Sequence, residues 1–306
     1  RVGEKAVMSF SDQICSGFSG ELLQNELMSR HTSLKVGGPA DLYAVPKDLE
    51  DLLLLVKWLD AEQIPRMVVG GGYNLLVRDG GIRGAVISLE QLDRIEAPGN
   101  GCIKAWAGAE NLQVVRFGQQ LGLGGIGFIS GIPGTIGGAI RMNAGAYGNG
   151  LLDHADSLCL LRQGTVQELQ RSQINYGYRR LDLQPGDIIL AATLQLEPTD
   201  PADTEEEIRK DLELRRTKHN VGYPSAGSFF KNPPDQTAWR LIDAAGMRGQ
   251  TVGGAQMAEL HSNFLINRGS ATATDCLELA KKVKQAVLAT SRIQLEEEVR
   301  IVGEEP

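Results

Sequence analysis

Two hydrophobic rhythms alternate along the first third of the chain. Ala40 to Val45, Met67 to Val69 and Ile82 to Leu89 are short apolar runs of the kind strands carry. Between the first two, Leu49, Leu52, Leu53, Val56 and Leu59 recur at three and four residue spacing, which places them on one face of a helix. Asp48 supplies its cap, and Pro65 forces its end. A strand over Cys102 to Ala107 is followed by a helix from Asn111 through Leu112 and Val115 to about Gly122. Strands then dominate, at Ser157 to Leu161, Thr165 to Leu169 and Ile188 to Leu196. The segment Glu197-Pro198-Thr199-Asp200-Pro201 reads as a linker, because two prolines interrupt any regular element. Beyond it, Thr204 and Glu207 predict a capping box for a charged helix. Ala238 to Ala245 predicts a second helix closed by Gly246, and Thr272 to Ala289 a third. Strands at His261 to Ile266 and Glu298 to Val302 complete a smaller unit. The order is that of an α+β chain, with units expected at 1–90, 91–199 and 200–306.

Bulk properties narrow the function without naming it. A chain of 306 residues, 42% hydrophobic and 23% charged, suits two or three soluble units. No stretch approaches the ~20 unbroken apolar residues of a membrane span. Arg1 to Asp12 are mixed charged and polar without the apolar run of a secretory signal, so the cytoplasm is the expected location. The formal charge of -7 and pI near 5.3 argue against a nucleic-acid partner, since phosphate backbones recruit clustered Lys and Arg. An anionic ligand must therefore be held locally. The basic run Arg215-Arg216-Thr217-Lys218-His219 is either a solvated helix end or a diphosphate contact. Cys15, Cys102, Cys159 and Cys276 are far apart and expected to be reduced. His31, His154, His219 and His261 are scattered, with no metal-binding spacing.

The 37 glycines exceed the usual ~7% and cluster at 70 to 84, 118 to 150 and 246 to 254. In Val69-Gly70-Gly71-Gly72-Tyr73-Asn74-Leu75 a strand runs into three glycines, leaving backbone N–H groups free to face a phosphate. Alone, this loop could equally be a tight turn. It is not a P-loop, because no Gly-Lys-Ser/Thr follows, and the dinucleotide G-x-G-x-x-G spacing is absent. The run Ser130 to Gly148 is more specific. It is nearly all small or apolar, unlike an exposed loop, and Gly131, Ile132, Pro133, Gly134, Thr135, Gly137, Gly138, Arg141, Asn143, Ala144, Gly145 and Ala146 are its candidate contacts. They are suited to line something large, flat and partly apolar, such as a flavin.

These loops, together with Thr32-Ser33-Leu34-Lys35-Val36-Gly37-Gly38-Pro39-Ala40, Tyr176-Gly177-Tyr178-Arg179, Pro224 to Pro233 and Glu298 to Gly303, resemble the UDP-N-acetylenolpyruvoylglucosamine reductase (MurB) family. The likeness spans about residues 20 to 303. It implies a two-lobed, vanillyl-alcohol-oxidase-type (PCMH-type) FAD-binding domain followed by a smaller α+β substrate-binding domain. It further implies FAD as cofactor, NADPH as co-substrate, and reduction of the enolpyruvyl group of the UDP-sugar for peptidoglycan synthesis in a cytoplasmic monomer. Arg179 and Glu298 match the family's enolate-stabilising positions, and Ser228 its proton donor. Ile189 joins the expected FAD contacts, while Arg215, Lys231 and Asn232 are expected at the substrate's UDP and carboxylate. No insertion carrying a substrate-capping tyrosine lies between Arg179 and Pro198, which matches the shorter subtype. Arg180-Leu181 and Lys218-His219-Asn220 depart from the family pattern and leave the neighbouring turns open. Two other functions are compatible with the loops alone: a flavin oxidase or dehydrogenase of a small alcohol, and a non-catalytic nucleotide-sugar binder.

Overall fold

The computed structural model describes residues 17–146 and 148–306, so the expectations at Arg1 to Asp12, Cys15 and Tyr147 lie outside the described residues. The first lobe is built from β1 (Glu21–Leu27), β2 (Pro39–Val45), α1 (Leu49–Ala61), β3 (Arg66–Val69), β4 (Leu75–Val77) and β5 (Ile82–Ser88). Its sheet has the order β1-β2-β5-β3, with β2, β5 and β3 parallel and β1 antiparallel at one edge. The Asp48 carboxylate caps α1 by accepting from the Asp51 N–H at 3.0 Å, as its position predicts. Leu52, Leu55, Val56 and Leu59 then bury against Leu42, Ala44, Ala85 and Ile87 of the sheet.

The second lobe follows with β6 (Ile95–Gly99), β7 (Cys102–Trp106), α2 (Asn111–Gln120), α3 (Ile136–Arg141), β8 (Ala155–Arg162), β9 (Thr165–Gln170) and β10 (Ile188–Gln195). Its sheet is antiparallel throughout, in the order β9-β8-β10-β7-β6. Strand β10 is central, and its unbroken apolar run from Ile188 to Ala192 is buried on both faces. Ile188 and Leu190 join the core under α1, whereas Ile189, Ala192 and Leu194 pack with α2 and α3, so the two lobes share a seam.

The expected linker is not a break in packing. Glu197 and Pro198 form a short ladder with Leu123 and Gly124. Asp200, not Thr204, caps the next helix, α4 (Pro201–Leu214), with Pro201 in its first turn. Thr204 is instead buried within α4, and Ile208 inserts into the core of the second lobe. The basic run continues α4 as a π-helical turn from Arg215 to His219.

The third unit contains β11 (Ser225–Ser228), α5 (Ala238–Ala244), β12 (Thr251–Val252), β13 (Ala255–Met257), β14 (Phe264–Asn267), α6 (Ala273–Ser291) and β15 (Arg300–Val302). The sheet order is β11-β14-β13-β12. Strand β14 starts three residues later than the sequence predicts, because the Phe264 N–H closes a turn on the His261 carbonyl at 2.8 Å. Gly246 ends α5 at φ +70°, and Thr272 caps α6 reciprocally with Asp275. This unit is docked on the first lobe. Leu34, Val36 and Leu76 enter its core beside Phe229, Phe230 and Leu265, and β15 pairs in parallel with β4. Asp79 also receives the Ala273 and Thr274 N–H groups, both at 2.8 Å, adding a distant carboxylate to the N-terminus of α6.

Candidate functional site

The two glycine-rich loops meet face to face. The first is fixed from behind: the Ser33 N–H donates to the Gly72 carbonyl at 3.1 Å, and Gly72 adopts φ +66° where a Cβ would lie 2.0 Å from the His31 carbonyl oxygen. On its other side a Cβ at Gly70 would sit 2.7 Å from Thr135 Oγ1 of the second loop. Among the described residues, the N–H groups of Gly70 to Asn74 donate to no backbone carbonyl, which leaves a nest of donors. The second loop is anchored to the lobe beneath it. Asn111 donates its N–H to the Gly134 carbonyl at 3.0 Å and its Nδ2 to the Ile132 carbonyl at 3.0 Å. Ile136 and Gly137 donate to the carbonyls of Ala109 and Ala107, at 2.8 and 2.9 Å.

Between them opens a cleft of about 430 Å³, walled by Gly70, Gly71 and Tyr73 on one side and by Ile132, Pro133 and Thr135 on the other. Ser130 Oγ and Asn111 Oδ1, both buried and without a protein hydrogen-bond partner, belong to residues of this wall. Orphaned polar atoms beside glycines and unused N–H donors are what a diphosphate-bearing, flat, partly apolar cofactor requires. The residues present therefore fit FAD. Glu90, Asp93, Glu110 and Asn111 also line the cleft, beside Ser130 at the start of the second loop, and none of the four carries a motif of its own. Their only signal was adjacency to the glycine loops or to a predicted helix start.

Other expected cofactor contacts are placed differently. Val69, Leu75, Ala144 and Ile189 are buried in the cores of their lobes. Arg141 donates to the Leu181 carbonyl at 2.9 Å. Asn143 is buried with its amide engaged at both ends, donating to the Gly177 carbonyl and accepting from the Leu152 N–H, each at 3.0 Å. Gly145 and Ala146 form a short ladder with Asn149 and Gly150.

Arg179 and Glu298, 119 residues apart in sequence, are brought into direct contact. Arg179 Nε donates to Glu298 Oε1 at 2.8 Å, with side chains only 19% and 17% exposed. Its two terminal nitrogens donate to the carbonyls of Asn143 at 3.2 Å and Gly145 at 2.9 Å. Arg179 sits at φ +53° at the tip of the hairpin in which Gly177 pairs with Arg180 and Tyr176 with Leu181. Arg180, the departure from the family pattern, is exposed and pairs with Asp182, so it leaves this tip intact. Burial pushes the Glu298 carboxyl above the usual carboxylate range, and the pull of the Arg179 guanidinium only partly offsets it. The three successive glutamates thus diverge: Glu296 is exposed beside Lys231, Glu297 pairs with Lys284, and only Glu298 turns inward. Glu298 precedes β15, so strand alternation does not govern it.

Ser228 ends β11, half-buried, and the carbonyl of the next residue, Phe229, accepts the Glu298 N–H at 2.8 Å. The three expected catalytic residues therefore share one neighbourhood. Of the expected substrate residues, Lys231 lies near enough to Glu298 for its charge to favour the ionised carboxyl, whereas Arg215 lies apart. Arg215 lines the cleft between the glycine loops, while Lys231 pairs with Glu296 and Asn232 Oδ1 accepts the Ala238 N–H at the start of α5. Among the described residues no group of three or more His, Cys, Asp or Glu side chains could hold a metal ion, and Cys102, Cys159 and Cys276 are free.

Comparison with known proteins agrees with this geometry. Residues 219–302 match the family model of the UDP-N-acetylenolpyruvoylglucosamine reductase C-terminal domain, and residues 40–170 match that of an FAD binding domain. The chain is 66% identical over 286 residues to the UDP-N-acetylenolpyruvoylglucosamine reductase of Pelobacter propionicus, covering 94% of this chain and 97% of that protein. It is 49% identical to the same-named reductase of Geobacter sulfurreducens, over 94% and 95% of the two chains. The crystal structure of the Thermus caldophilus enzyme superposes with a TM-score of 0.80 at 30% identity, covering 94% of this chain and all of that one.

Proposed function

The chain belongs to the UDP-N-acetylenolpyruvoylglucosamine reductase family of FAD-dependent oxidoreductases, and on that premise we propose that it uses NADPH to reduce UDP-N-acetylenolpyruvoylglucosamine to UDP-N-acetylmuramate. The product would enter peptidoglycan synthesis. FAD, held between the two glycine loops, supplies the two-electron relay between NADPH and the enolpyruvyl double bond. Addition of hydride to the methylene carbon of an enol ether leaves negative charge on the carbon beside the carboxylate. A cation and proton donors must be aimed at that charge.

The observation carrying this reading is the Arg179–Glu298 pair, set beside the second glycine loop and one residue from Ser228. Arg179 is held at three points, so its guanidinium presents positive charge to the enolate without reorganising. Glu298, its carboxyl raised by burial and held against Arg179, gives up its proton less readily than an exposed glutamate, which suits an acid placed beside the enolate. Ser228 delivers the proton to the α-carbon. A hydroxyl is a weak acid, but a carbanion-like centre is a strong base.

The cofactor-facing set is Gly70 to Tyr73 with the backbone N–H of Asn74, together with Gly131 to Gly138, joined by Arg215, whose place in that cleft fits the cofactor's diphosphate better than the substrate's. Lys231 and Asn232 remain assigned to the substrate. The three units are retained in modified form, with α4 counted with the second lobe. No described helix is long and apolar enough to cross a membrane, and a cytoplasmic monomer is part of the proposal. The test is Ser228→Ala. It should leave flavin reduction by NADPH unchanged and slow reoxidation by the enolpyruvyl sugar about 10²-fold or more. Normal reoxidation would remove Ser228 from the mechanism.

A further inference from the structure

Each member of the Arg179–Glu298 pair is held by one asparagine, and each asparagine comes from a different glycine loop. Asn74, the last residue of the first loop, donates its Nδ2 to the Glu298 carbonyl at 3.0 Å, and its own carbonyl accepts the Arg300 N–H at 3.0 Å. The amide orientation is fixed by chemistry, since only the NH2 end can donate to a carbonyl. These two bonds clamp the chain on both sides of Val299, just where it leaves the third unit to pair β15 with β4. Asn143, in the second loop, accepts Arg179 Nη1 on its carbonyl at 3.2 Å. Its side chain reaches the Gly177 carbonyl at 3.0 Å, two residues before Arg179 in the same hairpin, and takes the Leu152 N–H at 3.0 Å. Asn143 adopts φ +42°, a left-handed conformation that Asn tolerates better than most residues.

From this arrangement we infer that Asn74 and Asn143 are positioning residues for the reduction, transmitting the order of the two cofactor loops to Glu298 and Arg179 respectively. Both side chains are turned to the protein: Asn74 Nδ2 donates to the Glu298 carbonyl, and both ends of the Asn143 amide are engaged. The placement of the two loops therefore sets the register of the acid and the cation. A shift of about 1 Å in a reacting group can cost on the order of 10²-fold in rate. The inference rests on the proposed reductase reading.

The test uses purified holoenzyme and separates the two half-reactions. Asn74→Ala is combined with Glu298→Gln, and Asn143→Gly, chosen because glycine keeps the left-handed conformation, is combined with Arg179→Gln. The single variants should retain FAD and be reduced by NADPH at the wild-type rate, with reoxidation by the enolpyruvyl sugar slowed about 10- to 100-fold. Asn74→Ala should cost almost nothing further in the Glu298→Gln background, nor Asn143→Gly in the Arg179→Gln background, because each acts through that residue. Asn74→Ser, which restores a shorter donor, should recover part of the rate. Fully additive losses, or loss of flavin from Asn74→Ala, would show a separate role and overturn the inference. Should wild-type flavin fail to be reoxidised by the sugar, it is the reductase reading that fails, before any variant is made.

Discussion

Gly137 and Gly138 are adjacent, and the structure assigns them opposite consequences on substitution by alanine. A Cβ at Gly137 would lie 2.8 Å from the Ala107 Cβ and 3.1 Å from the Ala107 carbonyl oxygen. Carbon atoms prefer ~3.5–4.0 Å, so α3 must move by about 1 Å from the end of β7, to which Gly137 is also hydrogen-bonded. Neither Ala107 atom belongs to a flexible side-chain end, and overpacking of this kind costs about 1–3 kcal/mol. A Cβ at Gly138 meets nothing nearer than Thr135 Oγ1 at 3.9 Å, and its backbone is ordinary helix. There, alanine should stabilise the apoprotein by about 0.5–1 kcal/mol through lower unfolded-state entropy. Gly138, however, faces the first loop: a Cβ built on Gly70 would sit 3.9 Å from its Cα. FAD affinity should therefore fall by about 1–3 kcal/mol, or roughly 5- to 150-fold. Urea denaturation of the apoproteins and titration of flavin fluorescence read the two quantities separately. Wild-type apoprotein stability in Gly137→Ala together with wild-type FAD affinity in Gly138→Ala would refute the placement of the cofactor against this helix.

Further outcomes follow from the charged residues. Arg215→Gln should weaken FAD binding about tenfold or more, and leave the KM for the enolpyruvyl sugar unchanged in fully flavinated enzyme, as measured by steady-state kinetics. A raised sugar KM with intact flavin affinity would return Arg215 to the substrate side. The raised Glu298 carboxyl binds its proton more tightly folded than unfolded, so its contribution to stability is fully present below the ordinary value of 4.5 and is lost as pH rises through the folded value. Thermal melts should then show wild type losing stability relative to Glu298→Gln across that window. A difference independent of pH would contradict the burial.

What the sequence made legible was mostly local. The α1 helix combines a strong apolar period with an unambiguous cap at Asp48, and α6 does the same with Thr272, so both appear within two residues of their expected bounds. The start of α4 failed because two caps compete four residues apart. Asp200 precedes a proline suited to the first turn, and the burial of Thr204 and Ile208, which local sequence does not reveal, selects it. That same burial turned an expected linker into an attachment to the second lobe. In the site, small and apolar residues in series disclosed the second loop, and the first, equally readable as a tight turn, became legible only beside it. Local composition could not choose among Glu296, Glu297 and Glu298, whose separate fates depend on Lys231, Lys284 and Arg179 arriving from distant elements. Nor could it show that Asn74 and Asn143 face protein carbonyls, or that Asp79 reaches across to α6.

The central claim is that a flavin between two glycine loops passes reducing equivalents to an enolpyruvyl sugar beside Arg179, Ser228 and Glu298. Its most direct test follows the flavin absorbance of the purified protein under anaerobic conditions. One equivalent of NADPH should bleach the oxidised flavin band, and one equivalent of UDP-N-acetylenolpyruvoylglucosamine should then restore it in full. A flavin that NADPH leaves oxidised, or one that stays reduced after the sugar is added, would contradict the account.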